Sequence, residues 1–268
     1  MLKITNLHKT FHPGTVNAKH ALQGLDLELA PGDFVTVIGG NGAGKSTLLN
    51  AICGTWEPDE GIIEIDGVDV THMPEYKRAK YLGRVFQDPM KGTAPDMEIA
   101  ENLAIAARRG KKRSFAWGIR RGERDLYREK LSELGLGLED RLSSKVGLLS
   151  GGQRQAVTLL MAALERPKVL LLDEHTAALD PKTAAKVLEI TDRIVEENNL
   201  TTLMITHNMR DAIVHGNRLI MMHEGRIVVD VSGEEKKNLT IEELLDMFET
   251  ASGSEFTDDK GMLSHKNQ

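Results

Sequence analysis

Apolar and polar positions alternate over Leu2–Leu7 and again, more strongly, from Leu25 to Leu29, the period of strands with one buried face. Pro31-Gly32-Asp33 supplies a turn into Phe34–Ile38, an apolar, β-branched run of the kind that forms a fully buried strand. A helix is predicted to begin at Ser46 and run through Ile52. Gly61–Val70 carries Asp66-Gly67 between alternating residues, a strong hairpin signal. From Asp88 to Glu165 the pattern turns helical, with Met97–Ala107 and Glu123–Leu134 showing helical composition and no alternation. Leu149–Gln155 opens an amphipathic helix over Ala156–Glu165. Apolar strands return at Lys168–Glu174 and Thr201–Thr206, and Leu219–Val229 reads as a hairpin turning at Glu224-Gly225. Ile241–Phe248 predicts a short helix, and the polar stretch 251–268 is expected to be disordered.

Composition narrows this picture without redrawing it. With 268 residues and 40% apolar content the chain has ample material for a core. No apolar run approaches the roughly eighteen residues of a membrane span, and Met1–Asn6 lacks the features of a signal peptide. The expectation is a soluble protein whose membrane role, if any, runs through a partner. Cys53 is the single cysteine, so no intrachain disulfide or thiolate cluster is expected. A net charge of −6 argues against direct nucleic-acid binding. The one strongly basic stretch, 108–121 with Trp117, reads first as a solvated loop and second as a face for anionic lipid or acidic protein.

Between the Phe34–Ile38 strand and the Ser46 helix lies Gly39-Gly40-Asn41-Gly42-Ala43-Gly44-Lys45-Ser46-Thr47, which has the G-x-x-x-x-G-K-[ST] spacing of a phosphate-binding loop. Glycines there let backbone N–H groups close around phosphates, and the following helix N-terminus adds partial positive charge. Lys45 can reach the β- and γ-phosphates, and the Ser46 hydroxyl can ligate Mg2+. The chain is therefore expected to bind a nucleoside triphosphate. Phe11, one of few aromatic residues, either stacks on an adenine ring or simply packs; the sequence leaves both open.

Two further stretches carry chemistry. Ser150-Gly151-Gly152-Gln153 matches a capping box, but two glycines exceed what a cap requires and also suit an anion site. Asp173 and Glu174 end an apolar strand, where alternation would aim one carboxylate at magnesium and the other at the attacking water. His207 ends the Thr201–Thr206 strand, which is expected to be parallel and to bring it to the edge holding the phosphate loop.

Together these segments resemble the ATP-binding subunit of an ABC transporter over nearly the whole chain. Gly39–Thr47 resembles Walker A, Leu149–Gln153 the signature sequence, Leu170–Glu174 Walker B, Ala178–Asp180 the D-loop and Phe11 the aromatic A-loop position. Gln87 falls at the Q-loop and His207 at the switch histidine. Gly40 and His175 stand where many members have proline. The resemblance implies an α/β fold: a P-loop NTPase core of ABC ATPase type with an antiparallel β subdomain and an α-helical subdomain over about 88–165, in one domain spanning 1–250. It implies ATP and Mg2+ as cofactors, with Ser46, Gln87 and Asp173 towards the metal and Glu174, His207 and Gln87 in catalysis. It further implies an ATP-dependent homodimer in which Ser150-Gly151-Gly152-Gln153 of one subunit meets the nucleotide of the other. Partners are then a transmembrane permease and a substrate-binding protein, at the cytoplasmic face of the membrane. Import of an amino-acid-like solute is the expected task, with export, or a soluble role in DNA repair or translation, as alternatives. Between Lys45 and Ser150 there is no room for the coiled-coil insertion of the soluble mechanical ATPases.

Overall fold

A computed structural model describes residues 1–111, 118–120 and 122–252. In chain order the elements begin with β1 (Leu2–Phe11), β2 (Lys19–Leu29), β3 (Phe34–Ile38), α1 (Lys45–Cys53), β4 (Glu60–Ile65) and β5 (Val68–Asp69). They continue with α2 (Glu75–Arg78), β6 (Leu82–Val85), α3 (Ile99–Ala106), α4 (Glu123–Ser132), α5 (Gly151–Ala163), β7 (Val169–Asp173) and α6 (Pro181–Asn198). The chain closes with β8 (Thr202–Ile205), α7 (Met209–Val214), β9 (Arg218–His223), β10 (Arg226–Ser232), α8 (Gly233–Asn238) and α9 (Ile241–Ser252). Two compact units result, one from Met1–Glu75 with Leu203–Gln268, the other from Tyr76–Thr202.

In the first unit an antiparallel sheet runs in the order β2-β1-β4-β5. Its registers set Leu2 between Leu29 and Ile65, and Ile4 between Leu27 and Ile63. All six of those side chains are buried, so the alternation read from the sequence becomes one continuous apolar face. The β4–β5 turn uses Asp66 at φ 55° and Gly67 at φ 76°, the paired positive angles a two-residue hairpin turn requires. Glu224 (φ 45°) and Gly225 (φ 76°) repeat the device between β9 and β10. Beside this sheet, β10, β9, β3 and β8 lie in that order, with β3 parallel to β9. Ile38, Leu219, Met221 and Val229 pack there with Met209, Leu244 and Phe248 from α7 and α9.

The second unit holds the parallel pair β6–β7, in register Val85↔Leu172, and helices α3 to α6. All but the last residue of β7, Val169–Leu172, are fully buried, as the unbroken apolar run anticipates. Helix α5 approaches β6 so closely that a Cβ on Gly83 would lie 2.4 Å from the Ala162 carbonyl oxygen. Helix α6 was not anticipated. Its start is marked by Asp180, which accepts the Thr183 N–H at 3.1 Å, and by Pro181 in the first turn. The Thr183 hydroxyl and N–H hold the Asp180 carboxyl below the usual carboxylate range.

Half of the basic stretch, 112–117 and 121, lies outside the described residues, as does 253–268. Three of its remaining cations serve the second unit itself. Arg108 pairs with Glu123 at 3.1 Å, Arg109 donates to the Ala162 carbonyl at 2.8 Å, and Lys111 pairs with Glu165 at 2.6 Å. Among the described residues no helix is long and apolar enough to cross a membrane.

Candidate nucleotide site

In the first unit, β3 delivers the chain into the phosphate loop. Gly39 takes φ 150°, Gly42 φ 82° and Gly44 φ 105°, angles at which an L side chain is strained. Gly44 is the N-cap of α1 and makes no side-chain cap, so the loop leads directly into the helix N-terminus and its N–H groups. Backbone crowding adds a second demand. A Cβ on Gly39 would lie 2.3 Å from the Met222 carbonyl oxygen, and one on Gly44 2.5 Å from that of Ala21. The β9–β10 turn braces the loop from outside: Gly225 donates its N–H to the Ala43 carbonyl at 2.9 Å and accepts that of Gln23 at 3.0 Å.

Lys45 is buried, with 5% of its surface exposed, and folds back over the loop. Its ammonium donates to the carbonyls of Gly39 and Gly40. Those bonds hold the charge inside the loop, where a triphosphate would be wrapped. Ser46 is exposed at the first turn of α1, its hydroxyl open to a ligand. Thr206 donates its N–H to the Val37 carbonyl at 3.1 Å, so the ends of β8 and β3 lie together and His207 leaves the same edge as the loop.

Phe11 ends β1 half-buried, and its surroundings include both packing and a charge. The Trp56 ring meets it edge-on at 5.4 Å between centroids, and the Lys9 ammonium lies 5.9 Å from its centre. Lys9 is anchored on Asp59 at 2.8 Å. Burial works to raise the Asp59 carboxyl, but Lys9 and the Thr10 N–H outweigh it and hold the group below its ordinary range.

In the second unit, Gln87 and Asp173 leave the same ends of the parallel strands β6 and β7, and Gln87 is exposed. Asp173 already holds a cation: its Oδ2 accepts from Arg84 Nη2 at 3.1 Å, and that guanidinium lies 4.5 Å from the Phe86 ring centre. Glu174 is not on the strand. β7 stops at Asp173, and Glu174 turns off in the left-handed region at φ 47°, so strand alternation does not separate the two carboxylates. The next residue fixes that turn. His175 is buried and its Nε2 lies 3.0 Å from the Thr191 hydroxyl, which itself donates to the Val187 carbonyl at 2.8 Å. With the Thr191 proton committed to Val187, the imidazole is the donor in that pair. Neither Thr191 nor its helix was singled out from the sequence; Asp180-Pro181 followed by apolar residues at 187, 190 and 194 was the available signal.

The Ser150 segment forms the capping box in full. Ser150 Oγ accepts the Gln153 N–H at 3.3 Å, and Gln153 Oε1 accepts the Ser150 N–H at 3.2 Å. The second glycine has a reason within the unit: a Cβ on Gly152 would lie 2.1 Å from the Thr183 Cγ2 on α6. Gly151, by contrast, is exposed at the helix start.

A glycine loop that carries a buried lysine from a β-strand into a helix, with left-handed glycines too crowded for any side chain, defines a phosphate-loop nucleotide-binding protein. Residues 22–177 match the model of the family described as ABC transporter. A tyrosine transport ATP-binding protein of Clostridioides difficile (strain R20291) is 48% identical over 251 residues, covering 94% of this chain and 100% of the relative. Among solved structures, a dimeric ATP-binding cassette in a post-hydrolysis state bound to ADP and Pi aligns with TM-score 0.71 and 30% identity, over 87% of this chain and 98% of that one. The structure of cbiO1 from Clostridium perfringens, part of the ABC transporter complex cbiONQ, aligns with TM-score 0.74 and 25% identity over 98% of each chain. The chain belongs to the ABC transporter family as an ATP-binding subunit. It binds and hydrolyses ATP.

Proposed function

We propose that this subunit energises import of an amino-acid-like solute, as a homodimer docked on the cytoplasmic side of a permease served by a substrate-binding protein. The observation that carries the solute class is the 48% identity, over 94% of this chain, to a protein named for tyrosine transport.

The chemistry is assigned residue by residue. The N–H groups of 39–46 and the Lys45 ammonium bind the triphosphate. Ser46, Gln87 and Asp173 offer hydroxyl, amide and carboxylate oxygens, the hard donors that suit magnesium, and Asp173 Oδ2 accepts from Arg84. Magnesium, when bound, supplies neutralisation of phosphate charge. Glu174 accepts a proton from the attacking water, and His207 contacts the γ-phosphate. Ser150-Gly151-Gly152-Gln153 contacts the nucleotide of the partner subunit, the exposed Gly151 allowing close approach.

His175 then acts as a positioning residue for Glu174 through its bond to Thr191. His175→Leu is expected to lower kcat about five-fold, the equivalent of one hydrogen bond of roughly 1 kcal/mol, while leaving KM for ATP unchanged. His175→Gln, which keeps a donor, should recover most of the rate. Equal losses in both variants would remove the positioning role.

Uptake of labelled tyrosine, phenylalanine and a sugar by cells lacking this subunit tests the solute class. Loss of amino-acid uptake alone, restored by the wild-type chain and not by Glu174→Gln, is the expected result. Unchanged uptake of all three would overturn it.

A further inference from the structure

We propose that Lys19 is a nucleotide-binding residue, whose ammonium contacts the α-phosphate. The inference rests on the nucleotide site proposed above, with the base placed on Phe11 at the aromatic position that the family resemblance implies, and adds a cation that lies outside the phosphate-loop motif.

Three observations within the first unit meet at this side chain. Lys19 opens β2 and stands directly opposite Phe11 in the antiparallel ladder with β1. Directly opposed residues project to the same face of a sheet, with Cβ atoms about 5 Å apart. The Lys19 ammonium also reaches the phosphate loop, lying 3.0 Å from where a Cβ on Gly42 would be. Lys19 is exposed, and no acidic side chain among the described residues pairs with it.

A nucleotide with its base on Phe11 and its terminal phosphates against 39–46 has to cross the gap between them. Lys19 stands in that gap, paired with the base platform at its root and over Gly42 at its tip. The part of a nucleotide that joins base to terminal phosphates is the ribose and α-phosphate, and the α-phosphate is the part that carries charge. Lys45 is buried and bonded to the Gly39 and Gly40 carbonyls whereas Lys19 is exposed, so the two ammonium groups do not duplicate one another. Gly42 itself is required by its φ of 82°, where an L side chain is strained.

Equilibrium binding of ATP, ADP, adenosine and inorganic tripolyphosphate to the full chain tests this, using wild type, Lys19→Met, Lys19→Arg and Phe11→Ala. Lys19→Met is expected to bind ATP and ADP about ten-fold or more weakly, as for loss of a charge-assisted hydrogen bond, with adenosine unchanged. Lys19→Arg should stay within a few-fold of wild type. Full affinity for ATP and ADP in Lys19→Met would overturn the proposal, and a loss confined to ATP would overturn the α-phosphate assignment. Failure of the Phe11 reading is separately visible: Phe11→Ala would then leave the preference for ATP over tripolyphosphate intact, whatever Lys19 does.

Discussion

Glu174→Gln should bind ATP normally and hydrolyse it at least about 100-fold more slowly, the scale of a lost general base. The amide matches the carboxylate in size and can still accept a hydrogen bond, but cannot take a proton from water. The backbone at Glu174 makes the comparison informative, because the residue leaves β7 at φ 47° and is followed by His175, held to Thr191 of α6. Glutamine inherits that setting, so the loss reports proton transfer and not a displaced loop. An ATP-bound dimer should accumulate, since the step that reopens it is blocked; a related cassette is dimeric with ADP and Pi bound. Phosphate release and light scattering on the same sample read both effects. Turnover within ten-fold of wild type would remove Glu174 as the base, and a slow enzyme that stays monomeric in ATP would separate hydrolysis from dimer opening.

How much of this could be read from the sequence depends on the range of the interaction. The phosphate loop was legible because its demand is local: glycines for positive φ, a lysine, and a helix to follow. The turns at Asp66-Gly67 and Glu224-Gly225 were legible for the same reason. Alternating leucines in β1 and β2 forecast one buried face. They could not forecast that Phe11 opposes Lys19, because register shifts interrupt the β1–β2 ladder on the way. Glu174 was misplaced on the strand since nothing in an apolar run announces a left-handed residue at its end. Helix α6 had its start signals, yet its value to the site lies in Thr191 and Thr183, whose partners His175 and Gly152 are distant in sequence. The two glycines after Ser150 show the limit of motif logic. They suited phosphate on paper, and α6 accounts for Gly152 without any ligand.

Gly39→Ala is expected to be the most damaging small substitution in the phosphate loop. The added methyl would sit 2.3 Å from the Met222 carbonyl oxygen of β9 and 3.2 Å from the Ala43 Cβ, at a φ of 150° that alanine rarely adopts. A backbone oxygen inside a paired strand cannot swing away like the end of a side chain, so the loop has to move instead. Strain and crowding of this kind cost about 2–3 kcal/mol, which for a chain of this size lowers Tm by roughly 5–10 °C. Binding should suffer more than stability. The Gly39 carbonyl anchors the Lys45 ammonium, and displacing it moves the lysine and the N–H groups that must converge on phosphate. ATP affinity should fall at least about 100-fold, the loss of two or more charge-assisted hydrogen bonds. Gly118→Ala is the matched control, because a Cβ there meets nothing within 4 Å and φ is ordinary. Thermal melts and ATP titrations on the two variants give the answer together. If Gly39→Ala melts early but binds ATP as wild type does, the crowding is real and the loop tolerates it. If it binds and melts as wild type does, β9 is not the wall that holds the phosphate loop in shape.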